Sequence, residues 1–278
     1  MSSIDIAVPA TRPRRGLTLG PLSTLARRRL RLTARTPREL VVPLLTPIMF
    51  ALVIAPALHT ALHTDTAYEA FVAIGTVGLL IPLNTMFSGL GVIVDRVSGA
   101  QRELLAAPIP RGFLVLGNLL VALAITALQV GVLVAAALAR GIRFDTSAPG
   151  LAWFTAAVVL FTVAMYGMAE ILAARVPRQE EYIARVPAIA ILPWFLAGAL
   201  FPITALPTFL TWVAKFLPLT HALALMRYGL DSDRSGLHAI WGLSDPRAMA
   251  ALSLAVVGTF ALLLAVGSLR VFSRSAVR

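Results

Sequence analysis

Apolar and polar positions segregate along this chain into long blocks. Apolar stretches occupy about residues 40–58, 68–94, 112–138, 151–174, 186–200 and 248–271. Several reach the roughly 20 residues that a helix needs to cross a hydrocarbon core about 30 Å thick. The pattern predicts an all-α polytopic membrane protein with six transmembrane helices. Pro43, Pro47 and Pro56 are placed to bend or end the first span, and Pro82, Asn84 and Ser88 make the second kinked or locally polar.

Three segments depart from this block pattern. Over 22–38, Leu22, Leu25, Ala26, Leu30, Leu32 and Thr33 share one arc of a helical wheel, whereas Arg27, Arg28, Arg31 and Arg35 share the other. A basic amphipathic helix ahead of a span is expected to lie in the membrane interface. In Asp95–Arg111, Val97, Ala100, Leu104 and Ala107 form one helical stripe widened by Leu105, while Arg102 and Glu103 point away. Pro108 and Pro110 stop that helix because neither supplies a backbone N–H. The third segment, Pro193–Leu230, is too apolar for a free loop, yet Pro202, Pro207 and Pro218 cut it into pieces of about ten residues, too short to span. Such pieces are re-entrant or interfacial and must be buried against protein. Trp212 and Lys215 suit an interface. The expected organisation is a disordered tail at 1–21, the amphipathic helix at 22–38, a six-span domain at 39–272 and a short tail at 273–278. Residues 1–20 lack the apolar core of a signal peptide, so the tail is expected to be retained.

Composition agrees with the blocks. Charged residues make up 13% of the 278 and hydrophobic residues 58%, against about 25% charged in soluble domains. There is no cysteine, which removes disulfides and thiolate metal sites. The net charge of +11 does not indicate nucleic acid, because no basic stripe is interleaved with aromatics. Its distribution sets topology instead. With the N-terminus inside, eighteen basic residues fall in the N-terminal segment, Asp95–Arg111, Arg175–Arg185 and the C-terminal end, and six in the opposite loops. Both termini and the Asp95–Arg111 helix are then cytoplasmic, and Phe201–Arg247 is external. The basic residues are 23 Arg and 1 Lys, which fits a high-GC bacterial coding sequence.

Little in the chain carries bond-making chemistry. No phosphate-binding loop of the G-x-x-x-x-G-K-[ST] type occurs, nor a G-x-S-x-G elbow or an H-E-x-x-H pair. His59 and His63, with Asp65 nearby, have a spacing that permits a metal on paper, but no metal site is expected. Glu170 is the one ionisable residue well inside a span, about a turn from its cytoplasmic end, and Glu69 sits at the outer edge of the second. Ion-coupled carriers usually need midplane carboxylates or broken-helix sites. Asn84, Ser88, Asn118 and Gln129 are candidates to line a path for cargo, or else form interhelical hydrogen bonds worth about 0.6 kcal/mol each.

Two of these stretches resemble a known family. The run SGAQRELLAAPIPR resembles the cytoplasmic G-x-x-E-x-L-L-x-x-P-x-x-R pattern of ABC-2 type transporter permeases, through Gly99, Arg102, Glu103, Leu104, Leu105, Pro108 and Arg111, with a small departure in spacing around Gly99–Glu103. The segment after the fifth span resembles that family's external segment through Gly198, Pro202, Pro207, Pro218, Thr220 and Arg227, with Ala197 where a serine is frequent. The drug- and antibiotic-resistance exporters of the daunorubicin permease kind look closest. The resemblance implies a transporter subunit with no catalytic residues. Two six-span copies, or a copy and a close paralogue, would pair in a bacterial plasma membrane. Each would dock on a separate cytoplasmic ATPase holding ATP and Mg, with Asp95–Arg111 as the coupling helix. The first, second and fifth spans would border the pathway, and the external re-entrant helices would close it. An ion-coupled six-span carrier or channel is the alternative.

Overall fold

The structure, a computed structural model, describes residues 20–35, 66–106 and 112–275, with 45, 48–54, 56, 57 and 60. These residues form helices and connecting turns, and no strand occurs among them. In chain order the helices are α1 (Gly20–Arg35), α2 (Thr66–Val97), α3 (Ala100–Ala106), α4 (Gly112–Ala139) and α5 (Ala148–Arg175), followed by α6 (Gln179–Leu196), α7 (Thr208–Phe216), α8 (Pro218–Asp231), α9 (Ser235–Trp241) and α10 (Pro246–Ser275). A π-helical turn at Phe50–Ile54 precedes α2, and a 3-10 turn at Ile203–Ala205 precedes α7.

Among the described residues, four helices are long and apolar enough to cross a membrane: Tyr68–Val97, Gly112–Ala139, Ala148–Arg175 and Pro246–Phe272. They match four of the six apolar blocks to within a few residues, and the protein is an all-α, multi-pass membrane protein. Nine of the nineteen residues of the expected first span lie outside the described residues, as do His59, His63 and Asp65. The fifth block needs correcting. Its helix, α6, begins at Gln179, inside the Arg175–Arg185 segment expected to be a loop, and ends at Leu196 rather than Leu200. Only Val176–Arg178 is non-helical there. Glu180 and Glu181 lie in the first turn of α6, where carboxylates complement the positive end of the helix dipole. Pro193 is therefore inside α6, not at the start of the irregular segment.

α5 is the hub of the bundle and packs against α10, α8 and α2. Its start is well specified: the Ser147 side chain accepts from the Gly150 amide at 3.1 Å, and Pro149 sits in the first turn. Phe154, Val158 and Phe161 of α5 meet Val72, Val77 and Ile81 of α2, Leu223 and Met226 of α8, and Val257 of α10 in one buried cluster. Thr76, Thr85 and Thr162 donate to carbonyls three or four residues back on their own helices, so their hydroxyls are satisfied within the apolar interior. Gly229 lets α8 touch α5, since a Cβ there would lie 2.6 Å from both the Gly150 oxygen and the Phe154 nitrogen.

α7 and α8 are bent by 82° at Leu217. Pro218 is suited to the first position of a new helix because its missing N–H is not needed there. Near its start α8 packs Leu219 and Leu223 against Gly78 of α2, while near its end Arg227 bonds to Phe71. Those α2 positions are seven residues apart, so the bend lies about 10 Å deeper along the bundle than Arg227. The chain then emerges beside Asp145, whose carbonyl accepts from Ser232 at 2.7 Å. It thus returns to the end of the bundle at which α6 finished.

Candidate functional site

Functional candidates gather at the two ends of the bundle. At one end, α2 continues through Asp95 and Arg96 to Val97, where the sequence pattern predicts a single helical stripe running on to Leu104. The structure breaks this stripe. Ser98 and Gly99 form a turn, Gly99 has φ of +81°, a left-handed conformation that favours glycine, and α3 starts at Ala100. Val97 therefore belongs to the span and stands 71% exposed. Gly99 is the joint that lets a separate short helix leave the axis of α2.

α3 lies over a small cavity where α1, α2, α4, α5 and α10 converge, lined by Leu25, Arg28, Asp95, Gln101, Leu104, Asn118, Glu170 and Phe272 among others. Leu104 faces this cavity while Glu103 is exposed, the orientation that the helical wheel assigns to both. Arg102 and Leu105 are placed on α3, and Pro108, Pro110 and Arg111 lie outside the described residues. On α1, Leu25 packs against Gly117 of α4, Arg28 reaches the cavity, Arg27 and Arg31 are exposed, and Arg35 is the last residue of the helix. Glu170 is buried and accepts a hydrogen bond from Tyr166 one turn earlier.

One residue at this end escapes sequence reasoning. Arg96 donates to the Ala173 carbonyl at 3.0 Å and to the Val176 carbonyl at 2.6 Å. These are carbonyls at the C-terminal end of α5, where intrahelical donors run out and the helix dipole is negative. Arg96 therefore clamps the end of α2, just ahead of α3, to the hub helix. In the sequence it stands only as a charge at the end of an apolar run.

The four candidates for a pathway fall in different settings. Asn84 donates to the Thr126 hydroxyl at 2.9 Å and to the Ala122 carbonyl at 3.3 Å, joining α2 to α4. Gln129 is buried in α4 and Ser88 half-buried in α2. Asn118 lines the small cavity beneath α3. Among these contacts, those of Asn84 are interhelical hydrogen bonds.

At the opposite end the external motif condenses around one space. Gly198, Pro202, Thr220 and Arg227 all line a cavity of about 340 Å³, with Phe71, Ile203, Ala224, Ser235, His238 and Ala239. Gly198 has φ of +79°, and a Cβ there would lie 2.8 Å from the Ile203 side chain, so the turn out of α6 needs glycine. Pro207 precedes α7 and Pro218 opens α8, so the remaining two motif residues shape the chain path. α7 presents Phe209, Trp212 and Phe216 outward, with the Lys215 ammonium 5.4 Å from the Trp212 ring centre.

Arg227 is 5% exposed and holds this end together. Its Nη2 donates to the Ala199 carbonyl at 3.1 Å and to the Phe71 carbonyl at 3.4 Å, and its guanidinium stacks 3.4 Å from the Phe71 ring centre. Around it, Tyr68 donates to the Leu200 carbonyl at 3.0 Å, and Glu69 pairs with Arg140 at 3.3 Å. His221 is held between the Ser253 hydroxyl at 3.3 Å and the Lys215 carbonyl at 2.9 Å, a structural cross-link that joins α7, α8 and α10. Among the described residues no group of three or more His, Cys, Asp or Glu is arranged to hold a metal ion.

Comparison with known proteins points the same way as these two ends. The family model described as ABC-2 type transporter matches residues 21–230, from the start of α1 to the end of α8. Proteins named transport permease ycf38 from Porphyra purpurea and Pyropia yezoensis are 26% and 25% identical to this chain over 190 residues. That alignment covers 68% of this chain and 65% of each relative, so the chain spans about two thirds of their length. The matched region contains both the jointed helix α3 with its clamp and the bent pair α7 and α8, and the chain belongs to the ABC-2 type transporter family as a membrane permease.

Proposed function

We propose that this protein is the membrane half of an ATP-driven exporter, moving a hydrophobic or amphiphilic compound such as a drug, antibiotic or lipid-like molecule out of a bacterial cell. The observation that carries the reading is the build of the α3 end. A short helix is set off from its span by Gly99, turns Leu104 inward and Glu103 outward, and is anchored through Arg96 to the hub helix. A protein seated on α3 could therefore move α2 and α5 together. The charge distribution supports placing this end, and both termini, in the cytoplasm. The absence of a phosphate-binding loop in the sequence supports a separate ATPase chain that holds ATP and Mg. A second copy of this chain would complete the pathway.

The apolar character of the spans supports an apolar or amphiphilic cargo. Glu170 lies near the end of α5 rather than at mid-span, and Glu69 is engaged with Arg140 at the other end. Neither supplies the midplane carboxylate of an ion-coupled carrier.

The test is reconstitution with the cognate ATPase in vesicles. Glu103→Lys reverses the charge of an exposed α3 side chain and is expected to lower cargo-stimulated ATP hydrolysis and export about tenfold or more, with insertion and yield unchanged. Unchanged stimulation in Glu103→Lys and in Leu104→Pro would overturn the docking role of α3.

A further inference from the structure

The cavity at the α8 end carries two polar groups that nothing among the described residues satisfies. Arg227 Nε and the Thr220 hydroxyl are buried and have no hydrogen-bond partner among the described residues, and both residues line the 340 Å³ space. They stand seven residues apart on α8, two turns along one face. Thr220 is 3% exposed and Arg227 5% exposed. Buried donors are almost always paired, because an unpaired one forfeits the hydrogen bonds it made to water. Two of them beside one cavity of ligand-binding size mark a site built for an acceptor.

The charge balance says which acceptor. Asp231 and Asp233 border an adjoining space on another side of Arg227, together with Tyr68 and Pro202. Asp233 accepts from the Ser235 amide at 2.8 Å and Asp231 from the Asp145 amide at 3.4 Å, and Asp233 is near enough to Arg227 to offset part of its charge without pairing with it. Among the described residues neither forms an ion pair with Arg227. The Thr220 side of Arg227 holds no carboxylate in its lining, and it offers Ser235 and His238 as further polar groups. Phe71, Ile203 and Ala224 supply an apolar wall beside them. A donor cluster with one guanidinium and an apolar wall suits an oxyanion attached to a hydrocarbon tail.

We infer that the cavity between α8, α9 and the turn after α6 binds an oxyanion headgroup, phosphate or carboxylate, through Arg227 and Thr220, with any attached apolar chain against Phe71 and Ile203. The inference rests on the exporter reading only in naming this the outward side, from which a departing cargo or a lipid would meet it. Binding is measured on this chain alone, so a failure of coupling to an ATPase and a failure of this site are separate results.

The experiment uses the full chain purified in detergent, with thermal shift read against three probes: inorganic phosphate, a short-chain phosphatidylglycerol, and an uncharged diacylglycerol of equal acyl length. Saturable stabilisation by phosphatidylglycerol well beyond that by the diacylglycerol supports the site as a lipid headgroup subsite. Stabilisation by inorganic phosphate as well supports it as a site for the free oxyanion. Thr220→Val keeps the side-chain shape and is expected to weaken the responding probe about tenfold. Arg227→Gln should abolish the response, and Thr220→Val keeps the question decidable where Arg227→Gln does not fold. Equal responses to the two lipids, no response to any probe, or unchanged affinity in a folded Thr220→Val protein would overturn the inference.

Discussion

Arg96 and Arg227 each reach from one helix to backbone carbonyls of another element, at opposite ends of the same bundle. Arg96 is half-buried, and its two terminal nitrogens bond to carbonyls at the end of α5, which have no intrahelical donors left. Arg227 is buried, bonds through a single nitrogen to two carbonyls, stacks on Phe71, and retains an unpaired Nε beside a cavity. Taking a guanidinium out of water costs several kcal/mol unless its hydrogen bonds and charge are compensated. The first arginine is therefore a completed joint, whereas the second is a joint with spare binding capacity. In the proposed reading, the joint at the α3 end transmits position and the one at the α8 end leaves room for a ligand.

Three substitutions break or sharpen that contrast. The largest effect is expected from Arg227→Leu, which takes the Arg227 donor from the Ala199 carbonyl and a second donor from the Phe71 carbonyl in a buried setting and should cost about 3 kcal/mol. Thermal unfolding in detergent measures it, and a cost below that of Arg96→Ala would remove the distinction between the two ends. Arg96→Ala should cost about 1–2 kcal/mol, since water can reach the freed carbonyls at the end of α5. Its ATPase stimulation should nonetheless fall further than that of Arg227→Leu protein assayed below its unfolding temperature. Comparable loss in both would show that Arg96 has no transmitting role. The smallest effect belongs to Glu69→Gln at the α8 end. The Glu69–Arg140 pair joins a buried carboxylate to an arginine whose side chain is 24% exposed, so water still reaches one partner; its removal should cost about 1 kcal/mol, and part of that cost should be lost as salt is raised. A salt-independent loss of several kcal/mol would mark it as a third buried joint.

The family and much of the bundle were legible because their signals are local. A span is recognised by twenty consecutive apolar residues, and α2, α4, α5 and α10 carry that signal without help from neighbours. The fifth block was misjudged because Glu180, Glu181 and Arg185 disguise the first turns of α6 as a loop. In Asp95–Arg111, periodicity found the outward Glu103 and inward Leu104 but carried the helix across Gly99, because a wheel does not register a single left-handed residue. The external motif was noticed as a string of separated positions. Only folding shows that Gly198, Pro202, Thr220 and Arg227 surround one cavity, whereas Pro207 and Pro218 shape the path of the chain.

By itself, then, the sequence determined the class of the protein and the placing of its long helices. Each of these depends on hydrophobicity or charge summed over a window, and such sums survive without knowledge of contacts. The tertiary structure decided what single polar residues do. Arg96 and Arg227 are chemically identical and both lie near apolar runs, and Asn84 and Asn118 are likewise a matched pair. Which becomes a clamp, a cavity donor, an interhelical bond or a cavity lining depends on the carbonyls and voids that distant segments bring within about 3 Å. Hydrogen bonding acts over that short reach, so its outcome is set only when the helices have packed.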